Sequence, residues 1–394
     1  MAKKASTQEN YLRLFTKDFQ PDPAPKYEKI KLKDGITTVY SKDFKISSGQ
    51  LVRSPYIVFI IFVKLLKFKF AGRWEKTLWE IPILYKGIPF ILAHQKFGLK
   101  FTSYQKGADV GETAKEAIIK IEKAVPYAER LIEGEIKDRV IEGRISLANE
   151  YRAIKERYLF FRKKAETIHK KMKKLRKTGN QEEDYAILMM HRLLTPPEVN
   201  FYTIAMLDAF YSLLEHTFVL ILPFLKHDLP TEITLEKFIG MNWKNKYHHI
   251  FSASDKTAVS QQLDTLIQIK EQYRNPLAHG YFQKNGHSFS VHMENLGAIP
   301  MALTKHRGSL SYGFEQPDEK EFNEICTALD KFEKFLAELP ETKYGMIYIE
   351  TGFLVAFDID SRTRYMEAMT SKEAFEGLLD FTGYQIDSAA NMDW

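Results

Sequence analysis

VNFYTIAMLDAFYSLLEHTFVLILPFL, Val199 to Leu225, is the most apolar stretch of this 394-residue chain, and its reading decides the architecture. Leu207, Phe210, Leu214, Phe218 and Leu225 form a stripe at helical spacing, and much of the opposite side is apolar too. A helix apolar nearly all round is buried by its neighbours rather than laid on a surface. The segment therefore predicts the central helix of a bundle. Asp208, Ser212 and Glu215 recur at i, i+4 and i+7 and make one polar stripe on it. A buried carboxylate is costly unless paired, so that stripe needs partners.

Downstream, SASD at Ser252 to Asp255 matches a capping box, and the next helix runs to about Tyr273 with Val259, Leu263, Leu266, Ile267 and Ile269 inward. EQYRNPLAHGYF follows, Glu271 to Phe282. Proline disfavours helical geometry in the residue before it but suits the first turn of a new helix. With Asn275 as N-cap, Arg274 becomes the N′ residue and His279 the N4 residue, two positions that meet across a helix start. The spacing thus brings a guanidinium and an imidazole together at a positive helix end. Free N–H groups there attract phosphate, and Arg274 adds a planar donor fork for a pentacoordinate phosphorane. The helix dipole disfavours protonation of His279, leaving it available as a general base. Such a pair supports attack of a ribose 2′-OH and a 2′,3′-cyclic phosphate product. The alternative is a helix-cap pair in an inactive bundle. Arg162 and His169 also carry an Arg-then-His pattern, taken as accidental within a lysine-rich helix.

YRNPLAHG resembles the signature of HEPN domains, in which an Arg, a following polar residue and a downstream His form the active site. The similarity covers roughly residues 182–339. It implies a helical bundle acting as a homodimer with two motifs facing one cleft, and a metal-independent endoribonuclease of the kind found in toxin–antitoxin and phage-defence systems. On this reading Arg274, Asn275 and His279 are catalytic. Glu215 is similar to the acidic residue that several such proteins place near the pair, and is expected to hold Arg274 or line the cleft. A bundle salt bridge is the other reading. Tyr281 matches an extended motif whose tyrosine is modified by a nucleotidyltransferase antitoxin, although packing is the preferred reading of it.

Around this core, Asn285-Gly286 signals a β-hairpin within an insert at 281–314. Asp318 to Leu336 restores a helix, Gly345 to Asp358 reads as short strands, and Ser371 caps a last helix to Asp387. Upstream, helical character runs from Thr113 to Arg176 with a break or kink expected at Pro126. Its end, RKKAETIHKKMKKLRK (Arg162 to Lys177), is either a solvated face, a phosphate-tracking surface using Lys170, Lys171, Lys173 and Lys174, or a membrane-surface element. Ile81 to Tyr85 and Ile88 to Ala93 form a hairpin about Lys86-Gly87, with Phe97 to Phe101 following and Trp74 and Trp79 covering the sheet. Pro82 and Pro89 count against this pairing. Residues 1–35 read as an irregular polar arm.

The fold class expected is mainly α. It comprises a small α+β module at 1–110, a long basic helical connector at 111–180, a HEPN-like helical bundle at 181–340 and an α/β extension at 341–394. Composition is ordinary for a folded protein, with 44% apolar and 27% charged residues. A net charge of +6 permits RNA as a partner without demanding it. Cys326 is the single cysteine, so an intrachain disulfide and a thiolate zinc site are excluded. His248, His249, His287 and His292 lack a metal spacing such as HExxH, and no metal or other cofactor is expected. MAKKASTQENYLRLF lacks the apolar core of a secretory signal. Tyr56 to Val63 is too short to span a bilayer, which takes about 20 residues. Its β-branched residues predict a buried strand instead. A cytoplasmic protein follows, with no membrane partner. Besides the nuclease, a non-catalytic sensor that binds RNA or protein stays open.

Overall fold

The structure, a computed structural model, describes residues 2–26, 28–31, 37–44, 55–175, 197–228, 233–252, 256–275, 288–295, 297–303, 310–312 and 319–393. It is mainly helical with a small antiparallel sheet, in two compact units. The first comprises residues 1–139 and 380–394, the second residues 140–379.

In the first unit the sheet has the order β1-β6-β7-β8-β4, with β5 also on β6. β1 is Phe19–Pro21, β4 Lys42–Phe44, β5 Ala71–Trp74, β6 Thr77–Tyr85, β7 Ile88–Gln95 and β8 Gly98–Ser103. Two further strands, β2 (Lys29–Lys31) and β3 (Thr37–Val39), pair with each other. The expected hairpin is present. Lys86 and Gly87 turn it with φ of 50° and 81°, the two positive values a two-residue turn of this twist requires. The prolines are accommodated by register. Counting back from the turn, Pro82 opposite Ile91 and Pro89 opposite Leu84 fall in pairs that exchange no bonds across β6–β7. Their missing donors face β1 and β8, whose ladders have ended at Ile83 and Ile91.

Trp79, Ile81, Ile83, Tyr85, Leu92 and Phe101 form the buried sheet face. Helix α1 (Ala2–Thr16) contributes Leu12 to this core, so the first residues are not an irregular arm. Tyr56 to Val63 is not a strand but a helix, α2 (Pro55–Phe59), widening into a π-turn over Ile60–Leu65. Ile57, Val58, Ile61 and Phe62 are its buried residues, a helical spacing that the β-branched composition hid. α3 (Val110–Ile141) lays Ala114, Ala117, Ile121, Ala124 and Ala128 on the same core. Pro126 lies inside α3 without ending it, because the packed residues on either side outweigh a penalty of about 3 kcal/mol. The helical break falls instead at Gly143, with φ of 70°.

The second unit holds β9 (Ser146–Leu147), α4 (Tyr151–Leu175), α5 (Pro197–Ile221, with a 3-10 turn to Phe224), α6 (Leu235–Gly240), α7 (Trp243–Ile250) and α8 (Lys256–Ile269). The meander β10 (Ser288–Met293), β11 (Gly297–Leu303) and β12 (Leu310–Tyr312) follows. Then come α9 (Glu319–Glu338), α10 (Lys343–Thr351), β13 (Val355–Ala356), α11 (Ile359–Ala368) and α12 (Lys372–Asn391), whose last turns belong to the first unit. α5 is the central helix. Leu207, Phe210, Leu214, Phe218 and Ile221 are at most 3% exposed. They share one core with Tyr158 and Ala165 of α4, Tyr247 of α7, Leu266 of α8, Leu329 and Phe332 of α9 and Ile349 of α10. Each such side chain contributes about 1.5–3 kcal/mol by leaving water, so this helix organises the bundle.

Two expectations for this unit are corrected, and a third falls outside the described residues. Gly345 to Asp358 is mostly the helix α10, burying Gly345, Met346, Tyr348 and Ile349 at helical spacing. Gly352 at φ 84° ends it, and only Val355–Ala356 is a strand, pairing β9. The turn expected at Asn285-Gly286 lies outside the described residues; the described hairpin, β10 to β11, turns between Met293 and Gly297. The segment 111–180 is not one connector: α3 up to Arg139 belongs with the sheet and α4 with the bundle. Among the described residues one helix, Glu198–Phe224, is long and apolar enough to cross a membrane, and 67% of its most apolar window is buried in the protein.

Candidate functional site

The polar stripe on α5 faces three cations, and their pairing differs from the sequence expectation. Arg274 donates from Nε to Asp208 Oδ1 at 2.7 Å and from Nη1 to Asn275 Oδ1 at 3.2 Å. Glu215 does not hold Arg274. Its carboxylate lies 3.8 Å from Lys246 of α7, whose side chain is 4% exposed. The reason is the helix itself: seven residues at about 1.5 Å rise separate Asp208 from Glu215 by roughly 10 Å, too far for one guanidinium to engage both. Ser212, between them, turns its hydroxyl back onto the Asp208 carbonyl at 2.8 Å.

Arg274 sits in a widened turn. α8 continues past Ile269 as a π-helical turn over Lys270–Arg274, in which the Asn275 N–H donates to the Lys270 carbonyl. Asn275 has φ −66° and ψ −45°, a helical conformation. It is therefore not the N-cap of a new helix, because a cap residue is extended. The residue that follows in the sequence is a proline, which has no N–H to carry a regular helical ladder onward. Such π-turns recur at functional sites. His279 and Tyr281 lie outside the described residues.

Lys270 and Lys246 are the members that the sequence reading missed. The Lys270 ammonium lies over two rings, 4.7 Å from the Tyr211 centroid and 5.3 Å from that of Trp243. Those rings are themselves 5.3 Å apart, and the Tyr211 hydroxyl donates to the Leu266 carbonyl at 2.6 Å. Burial and the Arg274 charge one turn on push Lys270 below the usual lysine range, while Glu215 and Asp208 pull it back. Burial also lowers Lys246, and Glu215 offsets part of that. One signal was available: Lys270 and Arg274 are like charges at i, i+4, which an isolated helix disfavours. Such a pair calls for acidic neighbours, and the α5 stripe supplies them.

The basic tract is divided by burial. On α4, Arg162 is engaged by Asp330 at 2.8 Å and Glu166 at 3.1 Å, and His169 is buried against Phe322 with ring centroids 4.6 Å apart. Arg162 and His169 are thus structural. Lys170 and Lys171 are exposed, whereas the side chains of Lys173 and Lys174 lie outside the described residues. Among the described residues no group of three or more His, Cys, Asp or Glu side chains is placed to hold a metal ion. A groove of about 650 Å³ between α8 and α9, lined by Gln262, Thr265, Asn323, Glu324 and Lys331, does not include Arg274.

Chemically, the arrangement presents a half-buried guanidinium oriented by a carboxylate and an amide, with a desolvated ammonium one helical turn away. Both are donors suited to an anion, and Arg in particular to a phosphate. Comparison with family models, curated proteins and solved structures gave no match.

Proposed function

We propose that the chain is an endoribonuclease of HEPN type, working as a homodimer and without a metal. The observation that carries this reading is Arg274. It is the arginine of YRNPLAHG, fixed by Asp208 on the central helix and by the adjacent Asn275 at a widened turn. In this mechanism His279 takes the proton of a ribose 2′-OH, whose oxygen attacks the neighbouring phosphorus. Arg274 stabilises the phosphorane, and the P–O5′ bond breaks as the 5′-oxygen takes a proton from water, leaving a 2′,3′-cyclic phosphate and a 5′-hydroxyl. Asp208, rather than Glu215, takes the role of orienting acid. Lys170 and Lys171 supply exposed charge for the RNA backbone. The resemblance also supports a toxin or phage-defence role with an antitoxin partner.

A second reading, a non-catalytic module that binds RNA or protein, draws on the same ion pair: at 2.7 Å, Asp208 already offsets the guanidinium's charge. Incubation with tRNA or total RNA in EDTA separates the two. Cleavage giving cyclic phosphate ends and lost in both Arg274→Ala and His279→Ala supports the nuclease. Binding without cleavage by the parent protein supports the module.

A further inference from the structure

A second constellation lies in the first unit and owes nothing to Arg274. KLLKFKFAGRWEK, Lys64 to Lys76, carries five basic residues and one acidic one. Lys64 is paired with Glu135 and Lys76 with Asp393, but Lys67 and Lys69 are exposed and have no carboxylate partner among the described residues. Interleaved with them are rings. Phe70 packs on Phe59 with centroids 4.9 Å apart, and Phe59 packs on Trp79 at 5.5 Å. Trp79 then meets His94 at 5.8 Å, and His94 meets Tyr56 at 5.6 Å. The inner members of this chain of five are buried or half-buried, and both ends are open: Phe70 is 50% and Tyr56 63% exposed.

Strand register adds a further ring. Gly72 pairs Trp79 and Trp74 pairs Thr77, which places Trp74, 38% exposed, two residues along the edge strand from the row. Gly72 keeps the strand bare between Phe70 and Trp74, because a Cβ there would meet the Leu78 carbonyl at 3.1 Å and the Phe70 ring at 3.3 Å. β5 is an edge strand exposed along its whole length.

We infer that this face binds single-stranded RNA, with bases stacked on Tyr56, Phe70 and Trp74 and phosphates held by Lys67 and Lys69. Open rings set among cations are the recurring means of holding unpaired strands, since every base offers a π-face and every nucleotide a negative charge. A lipid surface would be served equally by aliphatic side chains. Among the described residues 55–103, however, the exposed large apolar side chains are all aromatic: Tyr56, Phe70, Trp74 and Phe97.

The test uses the full chain in an Arg274→Ala background with a fluorescent 2′-O-methyl oligouridine, so that cleavage plays no part and the nuclease reading stands or falls separately. Anisotropy should give an affinity that falls about five- to a hundredfold for Tyr56→Ala and for Phe70→Leu, which keeps apolar area but removes the ring. Lys67→Gln with Lys69→Gln should lower the log–log salt slope by about 1.4, at about 0.7 per phosphate contact on a single strand. Unchanged affinity in ring variants that melt like the parent overturns the proposal. So does loss of binding to anionic vesicles in those variants while the oligonucleotide is bound as before.

Discussion

Replacing Glu215 by Gln strands a buried ammonium, and the structure sets the size of the effect. Lys246 has its side chain 4% exposed, and among the described residues its carboxylate partner is Glu215, at 3.8 Å. Two unit charges at that distance attract by about 4 kcal/mol at an effective dielectric of about 20. Glu215 is itself 41% exposed. Water around its carboxylate screens the pair, which brings the expected loss to about 1–2 kcal/mol, below the 3–5 of a fully enclosed pair. The pH dependence has a definite sign. Burial places Lys246 in the folded protein below its unfolded value, and Glu215 pulls it upward. Between the two values the unfolded chain binds more protons, so stability rises with pH across that window. The penalty of Glu215→Gln is therefore present while Lys246 is charged in the folded protein, and fades as the pH rises through its lowered folded value, before the unfolded value of about 10.4 is reached. Hydrogen exchange of α5 and α7 amides reads it as a five- to thirtyfold acceleration at neutral pH, the equivalent of about 1–2 kcal/mol. Lys246→Met removes the charge with its need for a partner, and should cost under about 1 kcal/mol or stabilise. The double variant should then resemble Lys246→Met alone. Losses that simply add, or a Glu215→Gln protein exchanging like the parent, would refute the reasoning.

Other outcomes follow from the same structure. Arg274→Lys should not rescue RNA cleavage, because an ammonium cannot bind Asp208 and Asn275 while presenting a planar fork to phosphate; Asp208→Asn should lower kcat about tenfold or more with KM little changed. The Cys326 thiol is 4% exposed and pushed up by burial to about 11, so at pH 8 Ellman's reagent should label it only on unfolding, as roughly a thousandth is thiolate. A Cβ at Gly345 would stand 3.0 Å from Ile221 Cγ1 and 3.3 Å from Phe224 Cβ, so Gly345→Val should lower the urea midpoint by the equivalent of about 1–3 kcal/mol.

Some of this architecture could be read from the chain and some could not, for identifiable reasons. The central helix declared itself because 27 residues, apolar on almost every side, have one economical solution. The hairpin about Lys86-Gly87 was legible from its turn, and the last helix from Ser371, whose hydroxyl does accept from the Ala374 N–H at 3.1 Å. Short apolar runs were not legible. Tyr56 to Val63 and Gly345 to Asp358 each have enough β-branched and aromatic residues for a strand, and only packing decides for a helix. At the site, a carboxylate on α5 facing Arg274 was foreseeable, but its identity was not. Asp208 and Glu215 share one stripe, and which meets Arg274 depends on where α8 crosses the central helix. Lys246 escaped notice because a lysine is ordinarily solvated, and nothing local in WKNKYHHI announces its burial.

The chain enters the sheet unit first, leaves it at the end of α3 and returns to it through the end of α12, where the Lys76 N–H donates to the Met392 carbonyl and Lys96 to Asn391. During synthesis this ordering has a temporal meaning. The bundle, contiguous from residue 140 to 379, has all its parts before the earlier-made unit does. The sheet strands thus wait on a helix made after the bundle, and for that interval their edge contacts are left to whatever else is near.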